Sequence, residues 1–168
     1  MSPLYIVVAL VVVQRIAELI YAERNTRRLL QRGAIEVAAR QYPFFIALHA
    51  AWLVSILALV PPATIPNWWM LGAFFALQVT RVWVLVTLGP YWTTRIITLQ
   101  SAPLIRSGPY RFMKHPNYAI VAVEIALLPL AFGAWGIAVV FSALNAVLLS
   151  VRIRAEEKAL AARRLYQV

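Results

Sequence analysis

Apolar residues in this chain come in long blocks, and the blocks set the element plan. Three of them, 3–21, 43–60 and 67–88, carry the nearly continuous apolar length that a helix needs to cross a hydrocarbon core of about 30 Å, with polar flanks able to snorkel to the interface. A fourth block, 117–151, is too long for one crossing and is interrupted by Pro129, Gly133 and Gly136. It predicts two helices, 117–132 and 135–151, that meet near Phe132 to Trp135. Beyond it, "VRIRAEEKALAARRL" continues as a polar helix over 152–165. The first block lacks a basic leader and a small-residue cleavage site, so it reads as a retained helix. The expected fold is all-α: a polytopic integral membrane protein with five transmembrane helices in one membrane-embedded domain over 1–168.

Composition agrees with the pattern. The 168 residues are 62% hydrophobic and only 13% charged, and the mean hydropathy of +0.75 lies outside the range of soluble domains. The balance of 16 Lys and Arg against 6 Asp and Glu would point to nucleic acid in a soluble protein. Here its distribution sets orientation instead. Arg24, Arg27, Arg28, Arg32 and Arg40 fall between the first and second blocks; Arg95, Arg106, Arg111 and Lys114 fall between the third and fourth. Arg152, Arg154, Lys158, Arg163 and Arg164 close the chain, while the turns "PPATIP" and "FGAW" carry no charge. The positive-inside rule therefore puts these basic segments and the C-terminus in the cytoplasm, the N-terminus outside, and requires an odd number of spans. With no cysteine, thiolate nucleophiles, thiolate metal sites and disulfides are excluded.

Each polar residue inside a span can then be given a depth. Arg15, His49, Arg81, Glu124 and Asn145 lie about six or seven residues from the cytoplasmic ends of their spans, roughly 9 to 11 Å deep, with Gln14 and Glu18 close to that level. The outer half offers only weakly polar Ser55 and Ser142. Ionisable groups at such depth normally face one another or a wet cavity, so a polar cavity floor is expected, with Glu124 and Arg81 as its ion pair. Helix-packing glue is the alternative for any one of them.

The stretch "SGPYRFMKHPNYAIVAVE" opens the fourth span. Pro116 suits the first turn of a helix, which makes His115 the N-cap, and Arg111, Lys114 and His115 surround a helix N-terminus suited to a carboxylate or phosphate. Asn117, Val121 and Glu124 share one stripe of that helix. At the other end of the chain Arg152 and Glu156 share a face, with Glu157 about 100° round. The bland reading of both segments is a basic helix end and a solvated, salt-bridged helix. Nucleotide-binding glycine loops, His-Glu-x-x-His and Ser/His/Asp patterns are absent, and two distant histidines make a weak case for metal.

"GPYRFMKHPNYAIVAVEIALLPLAF" followed by "RIRAEEKAL" resembles the isoprenylcysteine carboxyl methyltransferase family, over about the last 60 residues. The N-terminal "RIAELIYAERNTRRLLQRGAIEVAARQYPFFIALHAAW" is similar to a bacterial branch linked to O-methylation of alkylpyrones or alkylresorcinols. The resemblance implies S-adenosyl-L-methionine (SAM) as cofactor, an active site facing the cytoplasm at a bacterial inner membrane, and a lipophilic substrate entering from the bilayer, with membrane lipids rather than nucleic acid as surroundings. It implies that Tyr110, His115, Pro116, Tyr118 and Glu157 contact the cofactor and that Arg152 and Glu156 position the acceptor; Arg81, His49, Glu124 and Asn145 are the expected substrate cavity from their shared depth. Lys114 stands where arginine is commoner, and Tyr166 is only a loose counterpart of a tail segment found in the family. The acceptor is either the hydroxyl of an alkylpyrone- or alkylresorcinol-type lipid or the carboxylate of an isoprenylcysteine-type substrate. Two other readings compete: an NADPH-dependent membrane reductase of the sterol reductase type, and a non-catalytic scaffold or transporter subunit.

Overall fold

The computed structural model describes residues 2–103 and 105–165. Its helices are α1 (Pro3–Gln31), α2 (Tyr42–Leu59), α3 (Trp68–Leu88), α4 (Pro116–Ala131) and α5 (Trp135–Leu165). Among the described residues, four helical stretches are long and apolar enough to cross a membrane: Pro3–Gln31, Ala39–Leu59, Trp68–Tyr91 and Trp135–Ala161. The apolar block starting at 117 forms a helix of 16 residues, about 24 Å long and short of a full bilayer core. The helix α1 runs past its apolar block to Gln31, and α5 continues unbroken through 152–165 as expected. Val13, Val54, Val79, Val86, Val139 and Val147 are exposed, the outward apolar surface that a lipid solvent requires.

An all-α description omits one element. Strands β1 (Ile35–Val37) and β2 (Ile96–Thr98) pair antiparallel, Ile35 opposite Thr98 and Val37 opposite Ile96. This ribbon clasps the α1–α2 linker to the α3–α4 linker. Arg95 reinforces it, reaching Glu36 at 3.2 Å and Glu23 at 3.8 Å while covering the Tyr42 ring at 4.8 Å. Behind it, buried Asn25 donates through Nδ2 to the carbonyls of Gly89 at 3.2 Å and Trp92 at 2.9 Å, satisfying backbone groups where α3 ends.

The core joins α1 (Leu4, Val8, Val11), α2 (Leu48, Trp52, Ile56), α3 (Leu71, Phe74) and α4 (Val121, Ile125, Leu128). Of the three residues expected to interrupt the fourth block, Gly133 alone makes the break. At φ 72° it is left-handed, and the Ala134 N–H bonds Pro129 O at 2.9 Å while Gly133 N–H bonds Leu130 O at 3.0 Å, the capping pattern that ends a helix. Gly136 lies inside α5, and Pro129 stays within α4. Having no N–H, Pro129 cannot serve the carbonyl of Ile125 one turn back. The indole N–H of Trp52 takes its place at 3.2 Å, so the proline also ties α2 to α4. At the opposite end of α4, a Cβ on Gly108 would meet Thr87 Oγ1 at 2.5 Å, and its φ of +55° already favours glycine. This close approach seats the Gly-Pro-Tyr turn on α3 and fixes where the next segment, Arg111 to Pro116, begins.

Candidate active site

Two polar clusters border a single cavity of about 1170 Å³. The first is built where α4 starts. His115 is the N-cap, its carbonyl accepting from Tyr118 N at 3.1 Å, and Pro116 follows at the first helical position. One turn in, the Tyr118 ring stacks on the His115 imidazole with centroids 5.4 Å apart and planes 21° from parallel. The Tyr118 hydroxyl donates to Glu156 Oε2 at 2.5 Å and accepts from Arg152 Nε at 2.9 Å. Because Arg152 and Glu156 lie four residues apart on α5, both reach the same hydroxyl. Arg152 is fixed further by donating from Nη2 to Thr94 O at 2.7 Å, just before β2, and its guanidinium lies 5.0 Å from the Phe45 ring centre. The clasp between linkers therefore orients a guanidinium on α5.

This cluster is only partly satisfied. His115 Nδ1 is 3.6 Å from Glu156 Oε2 and Nε2 is 3.7 Å from Glu157 Oε1, contacts too long for hydrogen bonds. Buried His115 Nε2 and Asn117 Oδ1 have no hydrogen-bond partner among the described residues. Arg111, Lys114 and Tyr110 also line the cavity. Burial, and after it the Glu156 carboxylate, pushes the Tyr110 phenol well above its ordinary range, so this side chain remains a neutral donor and not a base.

The second cluster lies along α4 by six residues from Tyr118, about 9 Å. Glu124 Oε2 accepts from Arg81 Nη1 at 2.8 Å and Arg15 Nη2 at 2.7 Å; Glu18 accepts from Arg81 Nε at 2.7 Å and Arg15 Nη1 at 3.1 Å. Gln78 donates to Glu124 Oε1 at 2.8 Å, and Gln14 donates to Gln78 at 2.8 Å and Glu18 at 3.0 Å. The expected Glu124–Arg81 pair is present inside a larger ring from α1, α3 and α4.

Depth and position in the wall differ. Arg15, Glu18, Arg81 and His49 line the cavity, whereas Glu124, 1% exposed, sits behind them and anchors the two guanidiniums. Asn145, on α5, has the expected burial but neither joins the ring nor lines the cavity; its Oδ1 has no partner among the described residues. Pro116 is likewise buried behind the wall, a helix starter and not a contact surface. Tyr110, His115, Tyr118, Arg152, Glu156 and Glu157 do come together on that wall, and Tyr166 lies outside the described residues. Gln78 and Thr94 escaped sequence reasoning. Gln78 is three residues before Arg81 and shares its face, a signal that attention to ionisable groups alone passes over.

Long apolar helices thus enclose a cavity with a polar corner, and the sequence match gives a methyltransferase family. Residues 70–162 match the Isoprenylcysteine carboxyl methyltransferase (ICMT) family. The chain is 41% identical over 160 residues to a protein of Bacillus subtilis (strain 168) called "Uncharacterized protein YpbQ", covering 93% of this chain and 95% of that one. This chain belongs to the ICMT family. No solved structure matches it.

Proposed function

We propose that the protein is a SAM-dependent O-methyltransferase that acts at the cytoplasmic face of a bacterial inner membrane on a lipophilic acceptor. The observation that carries this reading is the Tyr118–Arg152–Glu156 cluster on the wall of a cavity large enough for a cofactor and a headgroup together. The placement in the membrane is supported by the basic segments, which under the positive-inside rule share one side with this cluster. The helix α4 is taken as a fifth, shorter crossing, with the N-terminus outside and the whole chain one domain.

The residues present suit SAM. Partnerless His115 Nε2 and Asn117 Oδ1 offer polar contacts, the carboxylates of Glu156 and Glu157 face the same wall, and Arg111 and Lys114 suit a carboxylate. The cofactor supplies a methyl group already activated by its sulfonium. The chain's work is to orient and to exclude water. Arg152, held by Thr94 O and Tyr118, directs a donor at the acceptor oxygen. Glu156, held by the Tyr118 hydroxyl, accepts the proton of a hydroxyl acceptor as its oxygen becomes nucleophilic. The preferred acceptor is the hydroxyl of an alkylpyrone- or alkylresorcinol-type lipid, over an isoprenylcysteine-type carboxylate.

Isothermal titration of the detergent-purified protein is expected to show SAM binding that S-adenosylhomocysteine displaces. Mass spectrometry of membrane lipids with and without the protein is expected to show a species heavier by one methyl group. No binding heat together with no displacement overturns the reading.

A further inference from the structure

One polar group on the cavity wall belongs to neither cluster. His49 lies on α2, one helical turn beyond Phe45, and its Nδ1 is 2.8 Å from the Phe45 carbonyl. A carbonyl only accepts, so Nδ1 carries the ring hydrogen, and in the neutral ring Nε2 is an acceptor. No donor among the described residues reaches Nε2. The ring is held edge-on by Trp52, with centroids 6.4 Å apart and planes at 80°, so the acceptor has a fixed direction. Around it the charges are already paired: Arg15 and Arg81, which share the wall with His49, each donate to both Glu18 and Glu124. His49 thus presents a lone pair to a cavity whose nearby walls, Ile46 and Leu53, are apolar.

The helix α2 also borders the reactive corner. Phe45 is the residue against which the Arg152 guanidinium packs, and one turn of helix, about 5–6 Å, separates Phe45 from His49. His49, Arg152 and Glu156 line the same cavity, so one ligand can touch all three.

We propose that His49 is a specificity-determining residue: its Nε2 accepts a hydrogen bond from a second hydroxyl on the acceptor's ring, while the first hydroxyl meets Arg152 and Glu156. The enzyme thereby selects dihydroxylated ring headgroups over monohydroxylated ones. This rests on the reading of the cavity as a methyl-transfer site. Hydroxyl recognition in a buried pocket discriminates strongly, because the analogue lacking the group leaves a polar atom unpaired.

The test uses the full chain in lipid nanodiscs with radiolabelled SAM and two probes, a 5-alkylresorcinol and the 3-alkylphenol of the same chain length. Wild type is expected to prefer the resorcinol in kcat/KM by about 10- to 100-fold. His49→Leu should bring that ratio close to one, and His49→Gln, which keeps an acceptor, should retain part of it. SAM binding by both variants, measured by titration, shows that they are folded. A ratio in His49→Leu equal to that of wild type overturns the proposal and leaves the methyltransferase reading standing, as does methylation of neither probe by a wild type that binds SAM. Failure of wild type to bind SAM overturns both.

Discussion

The two polar clusters that border the cavity have similar ingredients and unequal states of completion. In the deeper one, two arginines and two glutamates are matched in number and two glutamines close the remaining carboxylate positions, although Arg15 Nε is buried without a partner among the described residues. At the mouth, Arg152, Tyr118 and Glu156 are joined, but His115 Nε2 and Asn117 Oδ1 are buried without partners and Glu157 stays half in solvent. A group sequestered from water and left unsatisfied is costly unless something else supplies its bond. The closed ring therefore reads as a lock between α1, α3 and α4, and the open cluster as a site that is completed by a ligand.

Removing one carboxylate from the closed ring is the largest expected effect. Glu124→Leu leaves Arg15 and Arg81 sharing the single carboxylate of Glu18, with one positive charge uncompensated, and frees Gln78, a loss of about 3–5 kcal/mol that thermal unfolding in detergent would register as a large drop in Tm. If instead this variant unfolds like wild type, the ring is not a lock and the contrast collapses. The open cluster should behave in the opposite way. Glu156→Gln keeps an oxygen for the Tyr118 hydroxyl, so stability should move by less than about 0.5 kcal/mol, while methyl transfer to a hydroxyl acceptor falls about 100-fold for want of a base. His115→Ala sharpens the same point: SAM affinity is expected to fall about tenfold with only a small drop in Tm from the lost stacking on Tyr118, since no described residue bonds its Nε2.

Much of this arrangement was legible because a membrane makes depth a strong variable. Counting along each span put Arg15, Arg81 and Glu124 at one level, and they do meet. Depth says nothing about direction around the helix axis, however, and Asn145 shares the level while standing outside the ring. His115 at the start of α4 and the shared face of Arg152 and Glu156 were legible from the residues, while Tyr118 and the roles of this corner came from motif resemblance. The corner's support was not legible: β1 and β2 are three residues each, too short for an alternating pattern to announce them, yet the loop before β2 supplies the Thr94 carbonyl that holds Arg152. Gln78 was hidden by its neutrality in an apolar run, although it closes one side of Glu124.

Completion also operates in the apolar half, where it can be tested on a single bond. The Ile125 carbonyl loses its helical donor to Pro129, and it lies where lipid and packed side chains leave no water to replace it. Trp52 repairs the deficit from another helix, its indole 1% exposed and donating at 3.2 Å. Trp52→Phe keeps an aromatic ring but removes the donor, so the expected cost is about 1–2 kcal/mol, smaller than that of breaking the charged ring because the orphaned group is neutral. Pairing it with Pro129→Ala separates the bond from lost packing. Alanine restores the N–H that Ile125 lacks, so in the Pro129→Ala background the Trp52→Phe substitution should lose about 1 kcal/mol of its effect. Equal costs in both backgrounds, read from thermal unfolding of the four proteins in one detergent, would mean that Trp52 acts through its bulk and that the repaired carbonyl contributes nothing to stability.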